Sequence, residues 1–295
     1  MRRYTASRHQ KHPPPKIYIV IPSVYLYTKG VDTQEFKELI WQKGRELFRP
    51  MPWREDTQPY YVLVSELMLQ QTQVHRVIPK FEAFMKRFPT IFDLATAPLS
   101  EVLILWSGLG YNRRAKFLHQ AARKVVSECN GVIPDTFKGL QELPGVGPNT
   151  AGAIMVYSYN QPVVFIETNV RTVYFQHLFP GNGQVHDNEL RTVVEETIDQ
   201  EHPREWYWAL MDYGSWLKKQ GLGANDRSLQ YKKQAPLKGS VREVRGMLLK
   251  ALAKREYTVQ ELAELAPPDE RFEAALGALL DEGLILLTDQ RLHLP

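Results

Sequence analysis

"LPGVGPNTAGA", residues 143–153, constrains the chain more than any other stretch. Gly145 and Gly147 permit a tight turn and close backbone approach. Pro148 suits the first turn of a following helix, where its missing N–H would have no partner anyway. Residues Thr136–Leu143 and Asn149–Tyr159 read as helices on either side. Such a hairpin points free backbone N–H groups outward, where they can hold a phosphate. Gly145, Val146, Gly147 and Thr150 are the phosphate-facing positions. A contact of this type holds DNA without reading its sequence. The alternative reading is an ordinary turn between two helices.

The rest of the chain agrees with a helical setting. "VDTQEFKELIWQKGRELF" opens with Asp32 and Thr33 as caps and then repeats apolar residues at helical spacing. "YYVLVSELMLQQT", "VIPKFEAFMKRF", "RAKFLHQAARKVVSEC" and "REWYWALMDYGSWL" read the same way, with short Pro- or Gly-containing connections. Residues 32–217 are expected to form an all-α region of two lobes with a cleft between them. Residues 218–239 are polar, basic and Gly-containing, and read as a linker. Residues 240–295 carry two amphipathic helices, a shorter helix between them, and a hairpin around Asp289 and Gln290. That order is winged-helix-like; a small helical cap on the main region is the alternative. Residues 1–31, basic and Pro-rich, are expected to be a disordered extension or the product of a start codon placed too early.

Charge and cysteine usage narrow the function. A net charge of +4 mildly favours a nucleic-acid partner. The one cysteine, Cys129, excludes a disulfide framework and any metal cluster held by several cysteines of this chain. No apolar run approaches the ~18 residues of a membrane span. The expectation is a cytoplasmic protein that acts on chromosomal DNA, without a membrane partner or a metal, and a monomer.

"MPWR", "PYYVLVSELMLQQTQV", "GLGYNRRAKFLHQAA", "LPGVGPNTAGAI" and "ETNVRTV" are similar, in order and spacing, to the helix-hairpin-helix DNA glycosylases. The chain most resembles the MutY-type adenine-specific mismatch glycosylases, over roughly residues 33–217; endonuclease III is a more distant likeness. The resemblance implies a two-lobed helical fold and extrusion of a base from duplex DNA into the cleft. The implied substrate is double-stranded DNA with a mismatch or lesion, most simply adenine opposite 8-oxoguanine or guanine. Another mispaired or damaged base is the runner-up, and a non-catalytic protein that binds distorted DNA is the alternative of a different class.

The resemblance assigns roles position by position. Glu66 matches the catalytic acid. An apolar setting among Val64, Leu67 and Met68 would keep its proton near neutral pH. Gln71 matches a residue inserted into the base stack, and Gln70 and Thr72 share its turn. Tyr111 matches a second intercalating position, and such wedges offset part of the cost of unstacking. Trp53 and Arg54 match the wall of the adenine pocket. Asn169 matches a residue that helps hold the site together.

Glu167 departs from the pattern, because the family usually has aspartate there. Three readings are open: a carboxylate that stabilises the sugar cation left by the departing base, a helix-start residue, or the remains of a lost site. The first is the expectation, with Asp212 next in line should it fail. Asn149 stands where endonuclease III has a nucleophilic lysine, and asparagine cannot form a Schiff base. Lys218 falls where the family's first iron–sulfur cysteine would be, so the 4Fe-4S cluster is expected to be absent. The family's 8-oxoguanine-recognition domain is expected to be replaced by the winged-helix-like segment. Arg242, Arg245, Lys250, Lys254 and Arg255 are expected to give that segment a basic face.

Overall fold

The computed structural model describes residues 33–179, 181, 183–229 and 234–295. The expectation for residues 1–31 lies outside them. Prolines start several helices at the first helical position: α2 (Pro52–Glu55), α3 (Pro59–Leu69), α9 (Pro148–Tyr157) and α12 (Pro203–Lys219). Elsewhere side chains do this work. Thr90 and Asp93 form a capping box at the head of α5 (Ile91–Thr96), and Thr136 accepts from the Gly139 N–H to begin α8 (Phe137–Gln141).

Two groups of helices pack around a shared cleft. The first contains α1 (Thr33–Leu47) and α10 (Thr168–His177), both laid on α12. Phe36 of α1 is buried edge-on against Tyr174 and Trp206, with ring centroids 5.2 and 6.2 Å away. α11 (Asp187–Thr197) buries Leu190 and Val194 in the same core. The second group contains α3, α4 (Val74–Arg87), α5, α6 (Leu99–Trp106), α7 (Arg113–Glu128) and α9. α3 is apolar on nearly every side because it runs through this group's centre. The described residues up to Lys219 form the expected all-α two-lobed arrangement.

Residues 162–167, "PVVFIE", look strand-like in sequence but pair with no strand. The Tyr207 hydroxyl donates to Phe165 O and accepts from Phe165 N, both at 3.1 Å. One side chain thus satisfies the backbone groups that a ladder would otherwise take. The two rings stack with centroids 4.1 Å apart.

Beyond the 3₁₀ turn Asn225–Arg227 come α13 (Val241–Leu252), β1 (Tyr257–Thr258), α14 (Val259–Ala263), α15 (Arg271–Asp281), β2 (Leu286–Thr288) and β3 (Arg291–His293). The sheet order is β1-β3-β2, all antiparallel. Asp289 and Gln290 have φ of 48° and 62°, the left-handed pair that a two-residue hairpin turn requires. Lys116 of α7 donates to Glu282 O, and Ser100 N donates to Pro295 O at 2.9 Å, so this segment rests on the second lobe. No helix among the described residues is long and apolar enough to cross a membrane.

Candidate active site

A cavity of about 1040 Å³ lies between the lobes. The second lobe contributes Glu66, Gln70, Asn149 and Tyr157; the other contributes Glu167, Asn169, Met211 and Lys218. Trp53, Arg54, Gln71 and Thr72 also line it. The two carboxyls singled out from sequence, about a hundred residues apart in the chain, therefore face one space.

Glu66 sits in the last turns of α3 and is 9% exposed. Burial first, then the neighbouring Glu167 charge, push its carboxyl well above the ordinary carboxylate range, against a downward pull from Arg54. Glu167 is the N-cap residue of α10, with φ −109° and ψ 171°, yet its side chain makes no capping hydrogen bond. Burial raises its carboxyl too, while Lys218 and then Arg171 pull it down. The environments differ in one decisive respect: Glu167 faces two nearby cations, and Glu66 faces one cation and a carboxylate.

That cation is already committed. Arg54 holds Asp212 with two bonds of 2.7 and 3.1 Å, and Arg49 Nε adds a third at 2.6 Å. The Asp212 side chain is fully buried, the Arg54 side chain nearly so. Asp212 is therefore no reserve catalyst; it is the anchor that fixes Arg54 against the cavity wall. The Arg54 guanidinium also lies over the rings of Trp208 and Phe48, 5.3 and 5.5 Å from the centroids. Trp53 is buried edge-on against Phe81.

Lys218 Nζ donates to Thr168 Oγ1 at 3.2 Å, at the head of α10. Burial lowers its ammonium, and the Glu167 charge opposes that shift. Asn169 Nδ2 reaches Met211 Sδ at 3.4 Å, whereas its buried Oδ1 has no partner among the described residues. Gly214 permits this crowding: a Cβ there would lie 2.4 Å from Asn169 O. Asn149 Nδ2 donates to Ile166 O at 3.0 Å, tying α9 to the strand-like segment before Glu167.

The hairpin residues divide. Gly145, at φ +82°, needs to be glycine, since a Cβ would sit 2.8 Å from Phe117 Cβ and 3.1 Å from Leu67 Cδ2. Gly147 does not need the freedom assigned to it from sequence; its φ is −86° and the space beside it is open. No side chain caps the first turn of α9. Val146 fits the phosphate role poorly, because its side chain is buried and its N–H is spent on Leu143 O at 3.1 Å. Thr150 Oγ1 accepts from Gln70 Nε2 at 3.2 Å, which couples the hairpin to the neighbouring turn.

That turn carries Gln71 at φ 56°, and Tyr111 stands at φ 48° on another. Arg114 holds both turns. It is buried and donates to the carbonyls of Leu67, Met68, Gln70 and Gly110, and to Thr72 Oγ1 at 3.0 Å. Sequence reasoning missed Arg114, which looks like a surface charge in "YNRRAK". It also missed Tyr157. Burial, and then the charges of Glu66 and Glu167, push that phenol well above its usual range, so it stays a neutral donor beside both carboxyls. Its signal was available: Asn149 and Tyr157 lie eight residues apart on one helix face.

The basic face expected on α13 is largely spent internally. Arg242 donates to Tyr111 Oη at 2.6 Å, Arg245 pairs with Glu282, and Arg255 lies over the Tyr257 ring at 3.7 Å and bonds Glu261. Lys250 and Lys254 remain exposed.

Comparison with known proteins supplies a family. Residues 64–199 match the family described as HhH-GPD superfamily base excision DNA repair protein. The adenine DNA glycosylase of Mycobacterium tuberculosis (strain ATCC 25618 / H37Rv) is 33% identical over 276 residues, covering 84% of this chain and 89% of that protein. The adenine DNA glycosylases of Buchnera aphidicola subsp. Baizongia pistaciae and Rattus norvegicus are 35% and 36% identical, covering 57% and 65% of this chain. The matches span 48% and 39% of those two proteins, so this chain corresponds to less than half of their length. The solved structure of a thermostable thymine-DNA glycosylase superposes with a TM-score of 0.58 at 23% identity, covering 66% of this chain and 91% of that one, a likeness of fold.

Proposed function

Because the chain belongs to the HhH-GPD superfamily of base excision DNA repair proteins, we propose that it is a monofunctional mismatch-specific DNA glycosylase that removes adenine opposite 8-oxoguanine or guanine. One observation carries this reading: Glu66 and Glu167 face one cavity from different lobes, Glu66 beside a carboxylate and an arginine held by Asp212, Glu167 beside Lys218 and Arg171. Glu66 keeps a proton and gives it to the adenine ring as the C1′–N9 bond breaks, so the bonding electron pair leaves with a neutral base. Glu167, beside Lys218 and Arg171, is the ionised partner that stabilises the sugar cation until water adds at C1′. Tyr157, kept neutral beside both carboxyls, is a donor available to the same site. Trp53 and the Asp212-anchored Arg54 form the adenine wall. Gln71 and Tyr111 enter the base stack, and the hairpin N–H groups hold the phosphate backbone.

A 4Fe-4S cluster does not fit this chain. Cys129 is its one cysteine, and the "KKQGLGANDRSLQYKKQ" segment from Lys218 contains none. We read the protein as cluster-free, and iron and acid-labile sulfide in the purified protein would contradict that. The cavity has no lysine at position 149, so the product is an intact abasic site. Efficient borohydride trapping would refute this and point to Lys218. Residues 240–295 are read as a winged-helix-like unit; the linker expected over 218–239 starts later than that, because Lys218 and Lys219 belong to the end of α12. We read the protein as one that acts on chromosomal DNA in the cytoplasm, as a monomer.

The test is single-turnover base release from duplexes with A opposite 8-oxoguanine, A opposite G, T or U opposite G, and paired controls, followed by alkali. Release of adenine from the first two supports the reading. Release of T or U instead would move the substrate, and no release from any duplex would leave a binding protein.

A further inference from the structure

Residues 234–242 reach across to the turn of Gln71, which lines the cavity, and to the neighbouring turn of Tyr111. Gln234 Nε2 donates to Gln71 Oε1 at 3.1 Å. Arg242 Nη1 donates to Tyr111 Oη at 2.6 Å, and its guanidinium lies over that ring, 5.7 Å from the centroid. Its Nη2 is braced from behind by Ala235 O at 2.6 Å and Pro236 O at 3.3 Å. Gln71 and Tyr111 are both non-glycine residues at positive φ, the kind of backbone that persists where a site requires it. Arg114 binds the carbonyls of Gln70 and Gly110 with one guanidinium, so the two turns are neighbours. Gln70 in turn ties them to the phosphate-holding hairpin.

These contacts locate something specific. A base that enters the cavity passes Gln71, which lines its mouth. On the glycosylase reading the base that it leaves behind stays in the duplex, unpaired, and the turn of Gln71 with its neighbour is the surface beside the entrance. The residues fastened to those turns are the ones within reach of it. A guanidinium has five N–H donors, and three bonds are made here among the described residues, so it retains donors for a ligand. Arginine donors match a purine edge that presents acceptors, O6 above all.

We propose that Arg242, supported by Gln234, reads the base opposite the extruded nucleotide and favours a purine with a carbonyl at position 6, as guanine and 8-oxoguanine have. The proposal rests on the glycosylase reading and goes beyond it by naming Arg242, with Gln234, as the residue that selects the opposite base.

The experiment is single-turnover adenine release from duplexes with adenine opposite guanine, inosine or 2-aminopurine. Inosine keeps the O6 carbonyl and lacks the 2-amino group; 2-aminopurine has the reverse. The wild type should act on the guanine and inosine duplexes at least about ten-fold faster than on the 2-aminopurine duplex. Arg242→Ala should bring the three rates within about two-fold of one another, and Arg242→Lys, which keeps the charge without the planar fork, should give an intermediate ratio. Gln234→Ala should lower the ratio below that of the wild type; should the arginine variants fail to fold, a Gln234→Ala ratio equal to the wild type's overturns the proposal. A folded Arg242→Ala protein with an unchanged ratio, or with all three rates altered equally, would overturn the proposal and leave the contact a mere tether. Absence of adenine release by the wild type from every duplex is a different failure, and sinks the adenine-glycosylase reading itself.

Discussion

Replacing Glu167 by alanine separates catalysis from structure. The Glu167 side chain makes no capping bond to α10, so the ~0.5–2 kcal/mol normally lost with an N-cap side chain is not at stake. Its cationic neighbours keep other partners: Arg171 is paired with Asp187 at 2.5 Å, and Lys218 donates to Thr168 Oγ1. Stability should stay within about 1 kcal/mol of wild type, a melting shift of no more than about 4 °C for a chain of this size. Activity should behave otherwise. A carboxylate about 5 Å from a developing cation, at an effective dielectric near 20, contributes about 3 kcal/mol. Its loss should slow base release by about 200-fold. Glu167→Gln should lose a similar amount, because the amide carries no compensating charge. Glu167→Asp withdraws the charge by about 1.5 Å. Coulomb's law alone makes that about a four-fold loss, and misplacement raises it to about ten-fold or more. The assay is single-turnover release from an A opposite 8-oxoguanine duplex, with thermal melts of each variant. An alanine variant of near-normal rate would refute the reasoning. So would one that melts early by the amount expected of a lost cap.

Glu66→Gln should be more stable than wild type at alkaline pH and converge with it on acidification. The Glu66 carboxyl is raised in the folded state, so the stability it contributes is present below its ordinary value and lost as pH rises through the raised one. Melts from pH 5 to 9 check the sign, and a gap that widens toward acid would contradict it. Arg54→Met leaves the fully buried Asp212 with Arg49 alone. Urea unfolding should show a loss of about 3 kcal/mol, part of it recovered on adding Asp212→Asn; an Arg54→Met protein of wild-type stability would remove Asp212 as the anchor. Arg114→Gln strips the turns of Gln71 and Tyr111 of their shared donor. It should cost about 3 kcal/mol or more and slow base release, and intact activity would show that those turns hold without it.

The sequence made some layers visible and concealed others for definite reasons. The helix start at Pro148 was readable, because proline at the first helical position is a local rule. The hairpin turn at Asp289 and Gln290 was readable for the same kind of reason. β1 was not, since two residues between helices carry no periodicity. The strand-like segment before Glu167 misleads, because a distant tyrosine, Tyr207, takes the backbone bonds that a ladder would. Glu66 and Glu167 were legible as residues of a motif, but their meeting across one cavity depends on how the lobes pack. Partner choice was the hardest layer. Asp212 and Arg54 lie 158 positions apart, and nothing local shows that one anchors the other. Arg242 and Arg245 likewise look like a free basic face until Tyr111 and Glu282 are found against them.

The claim that Glu66 delivers the proton is tested most directly by single-turnover adenine release with Glu66→Gln, at saturating enzyme on a duplex with adenine opposite 8-oxoguanine, beside a binding titration of the same duplex. The amide keeps the shape and the burial but cannot donate an acidic proton to the leaving base. The account predicts a rate lower by at least about 100-fold, with duplex affinity within a few-fold of wild type. A Glu66→Gln protein that releases adenine at the wild-type rate would contradict it.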